Sequence, residues 1–512
     1  MRTKRARTLM IQGTASSVGK SLVVAALCRI FRDTGLRVAP FKAQNMALNS
    51  FVTPQGGEIG RAQAVQAEAA GIPPHVDMNP ILLKPEGGMR SQVVVLGRPA
   101  GSMTWSAYQE RRAEFAGIVA DALSRLRACH DLVVIEGAGS TAEVNLAAHD
   151  IVNMRVAAAA DAPVLLVGDI DRGGVFAHLT GTMELLEVSD RARVAGFVIN
   201  KFRGDRALLA PGLDFLRARF RIPVLGVIPY LPRLRIADED SVGLEDRAGR
   251  HAPAADQVDI AVIRLPRISN YDDFLPLEHE DGVNVRFVEE PDEFAGADLV
   301  IIPGSKSTVA DLRWLHERGI ARVLVGRARE GGLVAGICGG CQMLGERIED
   351  PHRVEAEETA TSGLGLLPIV TRFARSKLTA QVRAKVEAPS IFSGGERGSY
   401  EVSGYEIHMG DIERGAGVAA PFRIITRNGV ALAALDGAIN RDGNVAGTMV
   451  HGVFENHAMR AAFIRALRRC KGLKTSGRAR PTVSREEEYD RLAAAVAESL
   501  DTAALRRIIG LD

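Results

Sequence analysis

The run Gly13-Thr14-Ala15-Ser16-Ser17-Val18-Gly19-Lys20-Ser21 joins two segments of different character. Before it, Thr8-Leu9-Met10-Ile11 is apolar and reads as a short buried strand. After it, Leu22–Phe31, with Arg29 and Arg32 alongside, reads as a helix. A strand, a glycine turn and a helix entered through Gly-Lys-Ser is the setting in which phosphates are bound. Backbone N–H groups and the helix N-terminus point at the anion, the lysine neutralises charge, and the hydroxyl can ligate Mg²⁺. Five residues separate Gly13 from Gly19, one more than the usual pattern. The bland alternative is a chance glycine turn, which leaves Lys20-Ser21 unexplained.

The chain has 512 residues, enough for two or three domains with buried cores. Its 64 basic and 62 acidic residues leave a formal charge of +2, so bulk electrostatics predicts no polyanion partner. The basic start, Arg2, Lys4, Arg5 and Arg7, reads as a solvated tail. No apolar run approaches the ~20 residues of a membrane span, and the first residues lack the apolar core of a secretory signal. Five cysteines do not make a disulfide framework. The expectation is a soluble cytoplasmic protein without a membrane or nucleic-acid partner.

Arg37–Lys42 reads as a second strand running into the polar loop Ala43–Ser50. There Gln44 and Asn45 either bind a polar ligand or simply favour a turn. Asp131–Glu136 is an apolar strand ending in a carboxylate, followed by Gly137-Ala138-Gly139. A carboxylate at a buried strand tip requires a cation, and beside a phosphate loop Mg²⁺ is the natural one, making Glu136 a candidate ligand with Ser21. The other reading is a solvated turn residue. Strands at Pro163–Asp169, Val194–Asn200 and Pro223–Pro229 alternate with helices around Phe176–Glu187 and Arg206–Phe220. That alternation predicts a parallel sheet covered on both faces, with ligands at the strands' carboxyl ends. Asn200 at such an end could hold a nucleotide base or end the strand in a turn.

Glu245–Gln257 has no apolar periodicity and reads as a linker. A second alternation follows: strands at Asp259–Leu265, Val283–Val288 and Leu299–Pro303, helices at Thr308–Glu317 and Ile320–Glu330. The strand Gly332–Ile337 then ends at Cys338-Gly339-Gly340, with a helix from about Cys341. This is the pattern of a nucleophile elbow, in which small neighbours permit a sharp turn and the helix N-terminus favours a thiolate. Cys338 could also be a buried structural thiol, or pair with Cys341 as a redox or metal-binding Cys-x-x-Cys. A nucleophilic thiol needs a base. Of His279, His316, His352, His408, His451 and His457, His451 follows a short apolar strand and would reach the sheet edge. The loop Pro303–Thr308, containing Gly304, could supply an oxyanion donor. Met459–Cys470 and Glu486–Leu500 carry helical periodicity, with Lys474–Pro481 a polar loop between them.

With these residues in view, the chain resembles the glutamine-dependent cobyric acid synthases of cobalamin biosynthesis. The resemblance rests on Gln12-Gly13-Thr14-Ala15 with Val18-Gly19-Lys20-Ser21, on Pro40–Ser50, and on Ile135-Glu136-Gly137-Ala138-Gly139-Ser140. It extends through Gly168–Phe176, Ile199–Gly204, Pro303–Thr308, Gly336–Gly345, Gly404–Gly410 and Val450-His451-Gly452. It implies two α/β domains: an N-terminal P-loop domain like dethiobiotin synthetase, with a parallel sheet, and a C-terminal class I glutamine amidotransferase domain. The expected boundaries are 1–244, a linker at 245–257, 258–460, and a C-terminal helical segment at 461–512. Dethiobiotin synthetases share the longer glycine loop.

The resemblance further implies ATP- and glutamine-dependent amidation of four peripheral carboxylates (b, d, e and g) of adenosylcobyrinic acid a,c-diamide. Carried over, ATP contacts fall on Gly13, Thr14, Gly19, Lys20, Ser21 and Asn200, Mg²⁺ on Ser21 and Glu136, and substrate contacts on Gln44, Asn45 and Gly304. Cys338 is the expected glutaminase nucleophile and His451 its base. The His-x-Glu usual in the wider class is absent, because Gly452 and Val453 follow His451; Glu455 is the nearest carboxylate at the wrong spacing. The expectation is therefore a Cys-His dyad. The sequence does not specify the oligomeric state, and a homo-oligomer is compatible with it. Two rivals are weaker. The a,c-diamide synthase shares both domain types but is expected to have a Gly-Pro-Asp-type sequence where Gln44-Asn45-Met46 stands. A partition-type ATPase switch would carry a lysine within Thr14–Val18 and would have no use for an amidotransferase half.

Overall fold

The apolar runs flanking the glycine loop close into one six-stranded sheet, ordered Val224–Pro229, Val194–Phe202, Val164–Asp169, Arg7–Gly13, Leu132–Glu136 and Val38–Phe41. Every pairing in it is parallel. The reason is in the side chains: Leu9, Ile11, Val133, Ile135, Leu165 and Val167 are fully buried, so both faces need helical cover. The register sets Ile11 opposite Glu136, Gly13 opposite Val167 and Asp169 opposite Asn200. The carboxyl ends of four strands therefore share one edge with the glycine loop.

This computed structural model describes residues 5–145, 150–232, 234–237, 254–396, 400–474 and 484–511. The chain divides into two units. The first comprises Met1–Ala47, Ile59–Glu239 and Val483–Asp512; the second comprises Leu48–Glu58 and Asp240–Thr482. Of the features read from sequence, Arg2 and Lys4, residues 245–253 of the linker, and nearly all of the loop at 474–481 lie outside the described residues.

The first unit holds a second sheet that the sequence did not announce: Gln44–Met46, Ile81–Gly87, Arg90–Val95 and Arg98–Thr104. Gln44-Asn45-Met46 thus begins the expected loop as a strand, paired parallel with Ile81-Leu82-Leu83. Local composition favours a turn, but backbone pairing and the apolar contact of Ala47 with Leu82 and Val94 override it. The segment expected as one C-terminal piece, 461–512, is divided. Helix His457–Cys470 belongs to the second unit, whereas Arg485–Ser499 and Thr502–Ile509 belong to the first. Helix Arg485–Ser499 starts with a Ser484/Glu487 capping box and packs beside helix Lys20–Asp33. There the buried Arg29 guanidinium donates to Glu486 (2.6 Å) and Asp490 (2.8 Å).

The second unit has its own sheet, ordered Val283–Val288, Val258–Ile263, Leu299–Ile302, Leu333–Ile337, Val445–Thr448 and Ala438–Ile439, parallel except for the last pair. A further seven-stranded sheet is built on the long antiparallel pair Ile369–Val386 and Glu401–Arg414. Its edge is the two-residue strand Val450–His451, paired with Tyr405 and Glu406. The chain leaves the parallel sheet at Thr448 and joins the other sheet at Val450, which places His451 where the two meet. Among the described residues no helix is long and apolar enough to cross a membrane.

Arg29 gives a stability test. Its side chain is 4% exposed while Glu486 and Asp490 are 61% and 58% exposed, so on its removal the carboxylates simply rehydrate. Arg29→Met is expected to lower unfolding free energy by about 1–2 kcal/mol in urea denaturation, below the cost of stranding a buried charge. An unchanged midpoint would mean that apolar contacts alone hold the C-terminal helices.

Candidate active sites

Cys338 terminates the strand Leu333–Ile337 and caps the helix Gly339–Leu344 with φ 50° and ψ −109°, a left-handed-side conformation that a side chain rarely adopts. Its N–H donates to Thr448 O (2.7 Å), which fixes the turn from the neighbouring strand. Glycine is required on either side. A Cβ at Gly340 would stand 1.9 Å from Ile302 O, and one at Gly336 would stand 2.7 Å from Cys341 N. The elbow expected from sequence is therefore present, with the strain on the cysteine itself.

His451 lies close enough to Cys338 for each to shift the other's protonation. Its Nδ1 lies 2.6 Å from Asp273 Oδ2; because a carboxylate only accepts, Nδ1 carries the proton and Nε2 serves the thiol. Asp273 Oδ1 also accepts from Gly452 N–H (2.8 Å). The expected dyad thus has a third member. Asp273 comes from the 3₁₀ turn Tyr271–Phe274, on a distant stretch of chain, so no spacing around His451 could reveal it. Glu455 does not take this place. All three side chains are buried.

The electrostatics follow from burial and pairing. Burial pushes the Cys338 thiol up, but the charge and hydrogen bond of His451, the charge of His408 and the Gly339 N–H outweigh it and hold the thiol below its usual range. Burial pushes His451 down, yet Asp273 and Cys338 raise it to about 10. The two shifts run in the direction that favours a thiolate–imidazolium pair. His408, whose Nδ1 donates to Gly410 O (2.7 Å), adds positive potential; its Nε2 lies 3.8 Å from Glu406, which Arg427 holds with two hydrogen bonds of 2.7 and 2.9 Å. Cys341 behaves oppositely: burial, Asp436 and Cys338 push its thiol well up, and its Sγ packs against Gly447. Cys338 and Cys341 are both free thiols. Gly304 lies against the imidazole, since a Cβ there would stand 3.1 Å from His451 Cε1. A Cβ on Gly339 would stand 2.9 Å from Ser305 N, so loop and elbow back onto each other.

In the first unit, Lys20 Nζ curls over the glycine loop to Ala15 O and Gly139 O, both 2.9 Å. A Cβ on Gly13 would stand 2.7 Å from Val18 and 3.0 Å from Lys20 Nζ. Gly19 takes φ 96°, and the space of its missing Cβ is filled by the Asn200 amide. The Thr14 hydroxyl oxygen is buried without a hydrogen-bond partner among the described residues. Ser21 Oγ donates to Glu136 Oε1 (2.9 Å), but the cation facing Glu136 is Lys42, whose Nζ lies 2.9 Å from the same oxygen. Gln66 and Gln63 donate to Oε2 at 2.5 and 3.4 Å. Lys42, Gln63 and Gln66 were missed. Lys42 had a signal, a strand-end lysine on the strand neighbouring Glu136; the glutamines had none.

Asn200, which could hold a base or end the strand in a turn, has both amide atoms bonded within the protein. Its Nδ2 donates to Val18 O (2.8 Å) and its Oδ1 accepts from Lys201 N–H (2.9 Å). Lys201 Nζ in turn reaches Ser17 O (2.7 Å) and Asp169 (2.8 Å), so the pair braces the loop. Gln44 accepts from the Tyr108 hydroxyl and Asn45 donates to Gln63 (3.0 Å). Asn45 therefore reaches the carboxylate cluster of the first unit through Gln63, whereas Gln44 is held by Tyr108. Cys338, His451 and Gly304 converge in the second unit.

Comparison with known proteins agrees with these two centres. Residues 9–243 match the CobQ/CobB/MinD/ParA nucleotide binding domain, and residues 259–459 match the CobB/CobQ-like glutamine amidotransferase domain. A cobyric acid synthase of Sorangium cellulosum (strain So ce56) is 62% identical, with 99% of this chain and 99% of that protein covered. The chain belongs to the cobyric acid synthase family. Other cobyric acid synthases, from Desulforudis audaxviator (strain MP104C) and Dehalococcoides mccartyi (strain CBDB1), are 53% and 52% identical. Those matches cover 99% of this chain and 100% of the former, and 97% of this chain and 97% of the latter. As a member of this ligase family, the chain joins a nucleotide-binding half to an amidotransferase half.

The Cys338–His451–Asp273 chain predicts a pH profile. A thiol held below its usual range ionises at lower pH than a free one, so the alkylation of Cys338 by iodoacetamide should reach its plateau at lower pH than that of a free cysteine. Asp273→Asn removes the charge that supports the imidazolium, so the profile should move to higher pH. A profile unmoved by Asp273→Asn would separate Asp273 from the thiolate.

Proposed function

We propose that the protein uses ATP and glutamine to amidate four peripheral carboxylates (b, d, e and g) of adenosylcobyrinic acid a,c-diamide, giving adenosylcobyric acid through acyl phosphates. The observation that carries this reading is a buried Cys338 at a strained elbow, with an Asp273-held His451 beside it, in a chain that also holds a lysine-capped phosphate loop. Family membership supports the corrinoid as substrate.

In the glutaminase step, the Cys338 sulfur attacks the side-chain carbonyl carbon of glutamine. N–H groups of the elbow and of the Gly304–Ser305 loop receive the oxyanion. His451 delivers its Nε2 proton to the departing nitrogen, the C–N bond breaks, and ammonia leaves a thioester. His451 then takes a proton from water, which cleaves the thioester to glutamate and restores the thiolate. Asp273 keeps the proton on Nδ1 and stabilises the imidazolium throughout.

In the synthetase step, a corrinoid carboxylate oxygen attacks the γ-phosphorus of ATP, and the bond to ADP breaks. Ammonia then adds to the acyl phosphate carbon and phosphate departs, leaving the amide. Gly13, Thr14 and Gly19 line the phosphate cradle, the unpartnered Thr14 hydroxyl fits an oxygen-rich ligand, and Lys20 neutralises transferred charge. Bound Mg²⁺ would supply further neutralisation at the phosphate oxygens. Ser21 fits as its ligand, because its hydroxyl sits in the first turn of the helix that the loop enters and faces Glu136. Glu136, already accepting from Ser21, Lys42, Gln63 and Gln66, would hold it through Ser21 rather than directly. In this reading Gln44 and Asn45 serve the corrinoid substrate, Asn45 being tied through Gln63 to this carboxylate. A cytoplasmic location suits these soluble substrates and the free thiols.

Mass spectrometry of the corrinoid after incubation with ATP and glutamine tests the reading: four successive OH-to-NH₂ replacements are expected, and an unchanged mass would refute it. Cys338→Ala should lower glutamine-driven amidation at least about a thousandfold while ammonium salts still drive it. Lys20→Ala should lower amidation from either nitrogen source by roughly a hundredfold or more, with glutamate release persisting. Loss of both activities in Cys338→Ala would argue against separate centres.

A further inference from the structure

The hairpin Leu48–Glu58 precedes the second unit by almost two hundred residues of chain, yet it is part of that unit. Its strand Ser50–Val52 turns at Thr53–Gly57, closed by Thr53 N–H to Gly57 O (2.7 Å) and Gly56 N–H to Thr53 O (2.8 Å). Three alternate residues of strand Ile369–Val386 hold it from one face. Lys377 pairs with Glu58 (2.6 Å) with both side chains buried, Thr379 Oγ1 donates to Gly56 O (2.6 Å), and the Gln381 amide donates to Val52 O. None of these contacts belongs to the reaction described above.

The inner end of the hairpin meets the supports of all three members of the cysteine centre. Ser50 N–H donates to Asn270 Oδ1 (3.0 Å), and Asn270, at φ 53°, opens the turn that carries Asp273. Phe51 packs its ring 5.5 Å from that of Tyr405, and the Tyr405 hydroxyl donates to Ser50 O (3.4 Å). The Tyr405 ring lies flat on the His451 imidazole, centroids 5.3 Å apart at 16°. Val52, Tyr405 and Ile407 form one buried cluster with Phe51 against it, and Ile407 O is 3.7 Å from Cys338 Sγ. One small apolar cluster thus backs both the imidazole and the thiol, and half of it comes from the hairpin.

We propose that the hairpin Leu48–Glu58 is a positioning element of the cysteine centre. Phe51 and Ser50 set the alignment of His451 and Asp273 through Tyr405 and Asn270. The imidazole has its Asp273 hydrogen bond along one direction and the Tyr405 face behind it. Removing the support behind Tyr405 lets the ring plane tilt without breaking any contact to glutamine. Turnover then suffers more than binding, because near-attack geometry is lost while the groups that hold substrate stay.

The proposal rests on the glutaminase reading, and the test separates the two. In the full-length protein, glutamate release is measured for wild type, Phe51→Ala, Phe51→Leu and the double variant Thr379→Val/Gln381→Leu. Phe51→Ala should lower kcat about tenfold or more with KM within about threefold, and Phe51→Leu should recover most of that loss. The double variant loosens the hairpin from its outer face and should lower kcat about threefold, which covers the case that Phe51→Ala does not fold. The alkylation profile of Cys338 should move to higher pH in Phe51→Ala, since Cys338 is faced by His451 and His408, His451 by Asp273 and Cys338, and the alignment of His451 with both partners changes. Wild-type kcat in Phe51→Ala and the double variant, or a rise in KM alone, would overturn the proposal. A wild-type protein that releases no glutamate would overturn the glutaminase reading instead.

Discussion

The hydrogen bond between His451 and Asp273 is the constraint on which the second unit's chemistry depends. Without Asp273, a buried imidazole beside a buried thiol would be neutral, because burial opposes both charges. With it, Nδ1 is locked as donor, the imidazolium is favoured, and the thiol is held below its usual range. The pair also ties distant chain together: the turn Tyr271–Phe274, the elbow at Cys338 and the edge strand Val450–His451 must all be in register before it forms. Strain at Cys338 is tolerated because the Thr448 carbonyl and the surrounding glycines leave the backbone no alternative.

The first unit solves a related problem with the opposite charge inside. Glu136 ends a strand whose residues are wholly buried, and Lys42 on the neighbouring strand supplies the compensating cation. Ser21, Gln63 and Gln66 fill the remaining lone pairs and hold the carboxylate in one orientation beside the loop. That carboxylate also raises the nearby Cys28 thiol, on which burial acts first, so Cys28 stays an inert core group.

What the sequence disclosed and what it hid divide along physical lines. Both parallel sheets were legible because their strands are continuous apolar runs, and the elbow was legible because Cys338 stands among glycines after such a run. The long pair Ile369–Val386 and Glu401–Arg414 was not, because one face carries Arg, Lys and Glu and the half-buried alternation is diluted. Asp273 was hidden for a different reason: its partner is brought to it only by the tertiary fold, and Asp272-Asp273 alone reads as a turn. The hairpin at 48–58 was hidden likewise, since Ser50-Phe51-Val52 is too short to declare a strand and its pairing surface lies in another part of the chain. Lys42 was legible in principle, because a lysine at the end of the strand neighbouring Glu136 is a cation that a buried carboxylate can pair with.

The glycine loop shows how one added residue changes what the rest of a site must do. A loop with five residues between its glycines must fold more chain over the same helix start, and Ser17 adopts φ 58° to do so. A non-glycine residue in that conformation stays only if its neighbours are pinned from outside. Lys201, itself at φ 60°, takes Ser17 O, and Asn200 takes Val18 O through the gap left by the missing Cβ of Gly19. Asp169 on the adjacent strand holds the Lys201 ammonium. The strand-end pair Asn200-Lys201 is thus bound to the length of the loop: shortening the loop would leave both side chains without their carbonyls, and replacing them would leave Ser17 strained without support. The loop's length and the Asn-Lys at the end of a distant strand are one feature, distributed over the sheet edge.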